Sequence, residues 1–269
     1  MNFYGVATYK NSIMSIKPNF IKLGKKITRK CLMSEKIISE KNKIEPALYI
    51  VPTPIGNLED ITLRAINVLK SVDIIACEDT RKGGLLLKSL AISHSARLSS
   101  YYDFNEETKS TFLINEILNG KSVALISDAG TPCISDPGYK FVNKGIEKGI
   151  KIVSLPGATA FVPALVASGF AVHNFTFLGF PPQKKGRSTF LKNALNIDST
   201  VILYESSHRI SKLISEISQL DANRNICIGR EVSKIFEEYI RFNTSEFISN
   251  EIQITEKGEF VVIIEQAIA

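Results

Sequence analysis

The stretch "SVALISDAGTPCISDPGYKFVNKGIEKG", Ser122–Gly149, contains one complete repeat of the pattern from which the fold is read. Val123–Ile126 is an apolar run of strand length without alternation, which suits a strand covered on both faces of its sheet. The chain then enters an elbow carrying two Asp, two Gly and two Pro, and leaves it on a helical pattern from Tyr139. Proline removes a backbone donor and glycine removes the side chain, so such an elbow lets backbone approach a small molecule. Taken singly, its ordinary reading is a tight turn.

The same strand–loop–helix unit recurs on both sides. Upstream, "ALYIVP", "VDIIAC" and "ARLSSY" read as strands. They are followed by helical patterns in "LEDITLRAINVLKS", which puts Ile61, Ala65, Val68 and Leu69 on one face, in "TRKGGLLLKSL", and in "NEETKSTFLINEIL". The last of these is predicted to open on Asn105 as N-cap and to close at Gly120. Downstream, "IKIVSL" is a strand and "ATAFVPALVASG" a helix. Five such units predict an open, mainly parallel sheet with helices on both faces. After a break at Gly169–Asn174 the strands "FTFLGF", "TVILYE", "NICIGRE", "FEEYIRFN" and "EFVVIIE" lie closer together, with helices in "TFLKNAL" and "SSHRISKLISEISQL" and a short one in "TSEFISN". This block predicts a mixed sheet. The fold class is therefore α/β with two α/β domains, residues 47–170 and 171–269.

Residues 1–46 differ from the rest. They hold ten Lys/Arg and three Glu, a balance of +7, so the remaining 223 residues sum to −1 against the whole-chain +6. A transit peptide, a disordered RNA-binding arm, and a start codon assigned too early (with Met14 or Met33 as the true start) all fit this segment. The body is not basic overall, so nucleic-acid binding requires a local patch. Four scattered Cys without a C-x-x-C, and three His without H-E-x-x-H, argue against a disulfide framework or a zinc site. No apolar run reaches the roughly 18 residues of a membrane span, and the thiols suit a reducing cytoplasm.

The sequence contains neither G-x-x-x-x-G-K-[ST] nor any G-x-G, which excludes the P-loop and the Rossmann fingerprint. Three loops are instead rich in Pro and Gly: "VPTPIGNLED" after strand one, "SDAGTPCISDPG" after strand four and "LPGATA" after strand five. Ligands of open α/β sheets sit beyond the carboxyl ends of the strands, where all three loops belong. Acids gather there too: Glu78, Asp79, Asp128 and Asp136. Each also suits a helix N-cap, Asp136 best of all, and of Glu78 and Asp79 one can cap while the other serves a site. His208 suits a capping or packing role. The basic loop "PPQKKGRS" offers Lys184, Lys185 and Arg187 before a helix start, as phosphate contacts or as a solvated surface loop.

"LYIVPTPIGNLEDITLRA", "EDTR", "SDAGTPCISDPG", "LPG", "YESSHR" and "KGEFVVIIE" together closely resemble the ribosomal RNA small subunit methyltransferase I group, a branch of the tetrapyrrole methylase superfamily. The resemblance covers Leu48 to Glu265. It implies a cytoplasmic, homodimeric enzyme that uses S-adenosylmethionine. Its implied target is a cytidine ribose 2′-hydroxyl in the decoding region of small-subunit ribosomal RNA, free or in the assembled subunit. It further implies donor contacts at Pro54, Ala129, Gly130, Thr131, Ile134, Thr159, Ala160, Glu205 and Gly229. Glu78, Asp79 or Asp128 would accept the proton or hold the sulfonium, and no metal is implied. Arg81, Arg209, Arg230 and Lys234, with Lys184, Lys185 and Arg187, would hold RNA phosphates. Tetrapyrrole members carry a Gly-rich first loop and a "GGDP"-type turn. "PTPIGN" and "AGTP" stand here instead, which favours the RNA branch. The competing functions are a tetrapyrrole methyltransferase and a non-catalytic donor-binding regulator.

Overall fold

The computed structural model describes residues 44–267, so the predictions for residues 1–43 lie outside the described residues. Its first sheet is parallel throughout, in the order β3-β2-β4-β1-β5. The strands are β1 Leu48–Ile50, β2 Ile74–Cys77, β3 Arg97–Ser100, β4 Val123–Leu125 and β5 Ile152–Ser154. Between them run α1 Leu63–Ser71, α2 Thr80–Ser89, α3 Glu106–Leu118 and α4 Tyr139–Glu147. The two-residue period of a strand sends alternate side chains to opposite faces. Tyr49 and Val51 of the β1 region pack with Ala65, Val68 and Leu69 of α1 and Leu87 of α2. Leu48 and Ile50 pack with Leu113, Ile114 and Ile117 of α3 and Phe141 of α4. The continuous apolar strands thus receive a helical layer on each side.

β1 and β4 are neighbours, in register Leu48↔Val123. The chain leaves β1 toward the α1 face and leaves β4 toward the α4 face. Two adjacent strands whose loops diverge in this way open a crevice at their carboxyl ends.

The second sheet has the order β6-β7-β10-β8-β9, from β6 Phe175–Gly179, β7 Thr200–Ser206, β8 Asn225–Arg230, β9 Glu238–Asn243 and β10 Glu259–Ile264. β6 and β7 are parallel and the other pairs antiparallel, as predicted for a mixed sheet. One face is covered by α6 Arg187–Leu195 and α7 Ile210–Leu220. The other receives α5 Phe161–Ser168, whose buried Ala164 and Leu165 meet Ile202, Cys227 and Val261. The sequence reading placed this helix in the first block, yet its core contacts are with the second sheet. A short helix, α8 Thr244–Ile248, closes β9 with a capping box from Asn243 and Glu246.

Three local expectations are corrected. The helix after β1 begins at Leu63, because the Thr62 side chain accepts a hydrogen bond from the Ala65 N–H at 3.0 Å, and Ile61 precedes it. Asn105 stands at the start of α3 without capping it, since its side chain accepts from the Tyr102 N–H instead. Asp136 does not cap α4: Gly138 occupies that position at φ +139°, and no side chain caps there.

Candidate functional site

The three Pro/Gly loops meet. Thr53 and Gly130 exchange both backbone hydrogen bonds, at 2.8 and 3.0 Å, so the loop after β1 is laced to the elbow after β4. The Thr53 hydroxyl adds a bond to the Ser127 carbonyl at 3.1 Å. The third loop joins through Thr131, whose hydroxyl lies 2.8 Å from the Ala158 carbonyl and 2.6 Å from the Thr159 hydroxyl. Gly157 lies so close to Pro52 that any Cβ there would overlap the proline ring. Within the elbow, Gly130 has φ +86°, and the non-glycine residues Cys133 and Ser135 have φ +73° and +62°. Such left-handed conformations cost energy and persist where the surroundings enforce them. The buried Glu106 carboxylate supplies part of that enforcement. It accepts from the Gly138 N–H at 3.0 Å and from the Tyr101 hydroxyl at 2.9 Å.

Below these loops lies a cavity of about 550 Å³, a size that suits a nucleoside-like ligand. Its first wall contains Ile55, Ala129, Gly130, Thr131, Ile134, Thr159 and Ala160. The second sheet supplies Phe180, Tyr204, Glu205, Val232 and the start of β10. Phe180 is half exposed and stands edge-on to Tyr204, with ring centroids 5.5 Å apart.

The acids divide. Asp79 caps α2, accepting from the Arg81 N–H at 2.8 Å, and pairs with the Arg81 guanidinium at 2.7 Å. Those bonds hold its carboxyl far below the usual range, and it does not line the cavity. Glu78, Asp128 and Asp136 do. Asp128 is paired with Lys82 at 2.6 Å. Glu78 accepts from the Asp128 N–H at 3.3 Å, and burial pushes its carboxyl upward. Burial and the neighbouring Glu78 push Asp136 up to about 6.

Glu205 has a fully buried carboxylate, held by Arg187 at 3.1 Å and Arg209 at 2.9 Å. Arg187 is itself buried, bonding Glu216 at 2.6 Å and the Pro182 carbonyl at 3.2 Å. Its expected role as an RNA contact is therefore corrected: this guanidinium is spent inside the fold. Arg230 pairs with Glu238, and Lys234 with Glu231 and Glu259. Lys184 and Lys185 are exposed.

Of the donor contacts expected from the sequence, Ala129, Gly130, Thr131, Ile134, Thr159, Ala160 and Glu205 line the one cavity. Pro54 and Gly229 do not. Their places on the wall go to the adjacent Ile55 and to Val232, which packs over Gly229. Gly229 instead makes room for the Tyr239 ring and Ala164, each 3.2 Å from where its Cβ would stand. Sequence reading missed Phe180, Ser135, Val232 and the Gly258–Val261 edge. Phe180 carried a weak signal, an aromatic between a strand and two prolines. The Gly258–Val261 edge falls in the quoted "KGEFVVIIE" but read there as the last strand, and strand residues read as core.

The profile of the family described as tetrapyrrole (corrin/porphyrin) methylases matches residues 47–248. A ribosomal RNA small subunit methyltransferase I of Hydrogenobaculum sp. is 47% identical over 81% of this chain and 94% of its own length. One of Halalkalibacterium halodurans is 44% identical over 81% and 75% respectively. In three dimensions the chain is similar to a diphthine synthase, with TM-score 0.64, 14% identity, and 82% and 91% of the two chains covered. It is also similar to the uroporphyrin-III C-methyltransferase of Thermus thermophilus solved with S-adenosylhomocysteine, with TM-score 0.56, 18% identity, and 81% and 96% covered. At these identities the structures speak for the fold, and the sequence relatives for the group. The chain belongs to the tetrapyrrole (corrin/porphyrin) methylases, in the group of the ribosomal RNA small subunit methyltransferases I.

Proposed function

We propose that this chain methylates the ribose 2′-hydroxyl of a cytidine in the decoding region of small-subunit ribosomal RNA, with S-adenosylmethionine as donor. The reading rests on one observation: three loops distant in sequence are laced around a single cavity, in a chain whose relatives carry the rRNA methyltransferase name. The cavity suits the donor. Its apolar side chains Ile55, Ile134 and Val232 fit flat, uncharged surface, and its carboxylates Glu78, Asp128 and Asp136 fit a cation. Glu78 and Asp136, pushed upward by burial and by neighbouring carboxylates, are relieved when positive charge arrives.

S-adenosylmethionine supplies, when bound, an electrophilic methyl group on a positively charged sulfur. The chain's own contribution is alignment, which can be worth about 7–11 kcal/mol. The laced loops hold the donor wall rigid, and the Phe180–Tyr204 edge offers aromatic surface to an unstacked base. The two α/β domains meet across this cavity. Exposed Lys184 and Lys185 attract phosphate, whereas Arg81, Arg209, Arg230 and Lys234 are already paired with carboxylates.

Exposed apolar residues on and after α5, namely Val162, Val166, Val172 and Phe175, support a homodimer. Val166→Glu is expected to shift sedimentation to the monomer. The cytoplasm, where ribosomal subunits are assembled, is the compartment that fits the substrate, and no described helix is long and apolar enough to cross a membrane. Mapping ribose methylation on small subunits incubated with the protein and labelled donor tests the function. One 2′-O-methylcytidine near the decoding site is expected. Label on porphyrinoid precursors instead, or on no RNA, overturns it.

A further inference from the structure

We propose that Asp136 is the proton acceptor for methyl transfer. The proposal deepens the function above and rests on it. The elbow "ISDPG" places Asp136 three residues before the start of α4, where no side-chain cap is made, and the residue lines the cavity wall instead. Three other acids nearby are ion-paired, and Glu78 accepts from the Asp128 N–H. Asp79 is turned to Arg81, Asp128 to Lys82, and Glu205 to Arg187 and Arg209. Among the described residues no ion pair engages Asp136. Its surroundings are Glu78 at the end of β2, Ser127 and Asp128 after β4, Asp103 after β3, Cys133 on its own loop and Tyr204 on β7. Lys82 reaches this group only through its pair with Asp128.

A base that works near neutral pH must be uncharged just below it and free of a cation that would quench its basicity. Asp136 meets both conditions. Burial and the Glu78 charge raise it, and the residue lines the cavity. The backbone that aims it is fixed, since the buried Glu106 anchors the Gly138 N–H. In the step, the ribose 2′-oxygen forms the new bond to the methyl carbon as the carbon–sulfur bond breaks. That bonding pair stays on sulfur, which becomes a neutral thioether, and the hydroxyl proton passes to the Asp136 carboxylate and later to water.

Asp136→Asn and Glu78→Gln, each assayed for turnover on small subunits, for S-adenosylhomocysteine affinity by calorimetry and for urea unfolding across pH 4–8, test the inference. Asp136→Asn is expected to lower kcat by about 10²–10⁴-fold. It should change product affinity less than threefold and remove the acidic limb of the pH–rate profile. Glu78→Gln should move that limb to lower pH, because it removes a like charge. Without donor, the variant Asp136→Asn should also lose the Asp136 contribution to the pH dependence of unfolding between pH 4 and 6. Turnover within tenfold of the parent, or a loss explained by weakened product binding, overturns the proposal. So does a Glu78→Gln variant that is dead while Asp136→Asn is active. A parent protein that binds S-adenosylhomocysteine but methylates no subunit overturns the functional reading itself, a result separable from failure of the variant alone.

Discussion

Asp136 shows how a single carboxyl carries both a cost and a use. In the folded chain it stays protonated up to about pH 6, but in an unfolded chain only up to about 4. Between those limits the folded state holds more protons, so stability falls as pH rises through the window. Below about pH 4 both states are protonated and the penalty is absent. Asp136→Asn is therefore expected to raise unfolding free energy at pH 7 by on the order of 1–3 kcal/mol and to leave it unchanged at pH 4. Urea midpoints at the two pH values check this. Arg187 is the opposite case. It joins Glu205, Glu216 and the Pro182 carbonyl inside the second sheet's helical layer. Arg187→Ala leaves a buried carboxylate short of a partner and is expected to cost about 3–5 kcal/mol. Lysine should not restore it, because an ammonium cannot span three acceptors from one planar fork. Denaturant unfolding of both variants is the measurement.

At the scale of elements, the site depends on loop-to-loop lacing more than on any helix. Gly157 is the most demanding point of that lacing, since a side chain there would overlap Pro52. Gly157→Val is expected to push the third loop off the first and to weaken S-adenosylhomocysteine binding at least tenfold in calorimetry. The far-UV spectrum should hardly change, because the sheet beneath remains paired. Gly138 combines two constraints. Its φ is +139°, and a Cβ would stand 2.5 Å from the Cys133 sulfur and 2.9 Å from Leu125. Gly138→Ala is expected to lose about 2–4 kcal/mol through backbone strain and overpacking, read from the urea midpoint. The αβ alternation, the parallel first sheet and the mixed second sheet were legible because hydrophobic period and length carry them. Helix starts were less so: Thr62, Asn105 and Asp136 are all good N-cap residues, and only Thr62 bonds into its helix.

At the scale of the molecule, a body with net charge −1 has to bind RNA through a few cations. Several of its cleft arginines and lysines are already committed to carboxylates. On the proposed function, the exposed pair Lys184 and Lys185 would carry a large share of the phosphate contact. Replacing both with Ala is expected to reduce the slope of log affinity against log salt by about 1.4, the value for two released counterions on single-stranded RNA. Filter binding of a decoding-region RNA across a salt series gives that slope, and an unchanged slope places the contact elsewhere.

The sequence by itself determined that three Pro/Gly loops share one edge. In a parallel sheet every strand points the same way, so loops that follow strands must gather at the carboxyl end. It also determined the acids available there, because each lies in the loop that follows its strand. Only the tertiary structure decided which of them line the cavity and which are paired, as when Lys82 of α2 reaches Asp128 after β4. It likewise decided that Arg187 is buried and that α5 belongs to the second sheet's core. Local pattern encodes what an element is, whereas partners far apart in the chain settle what each charged group has left to do.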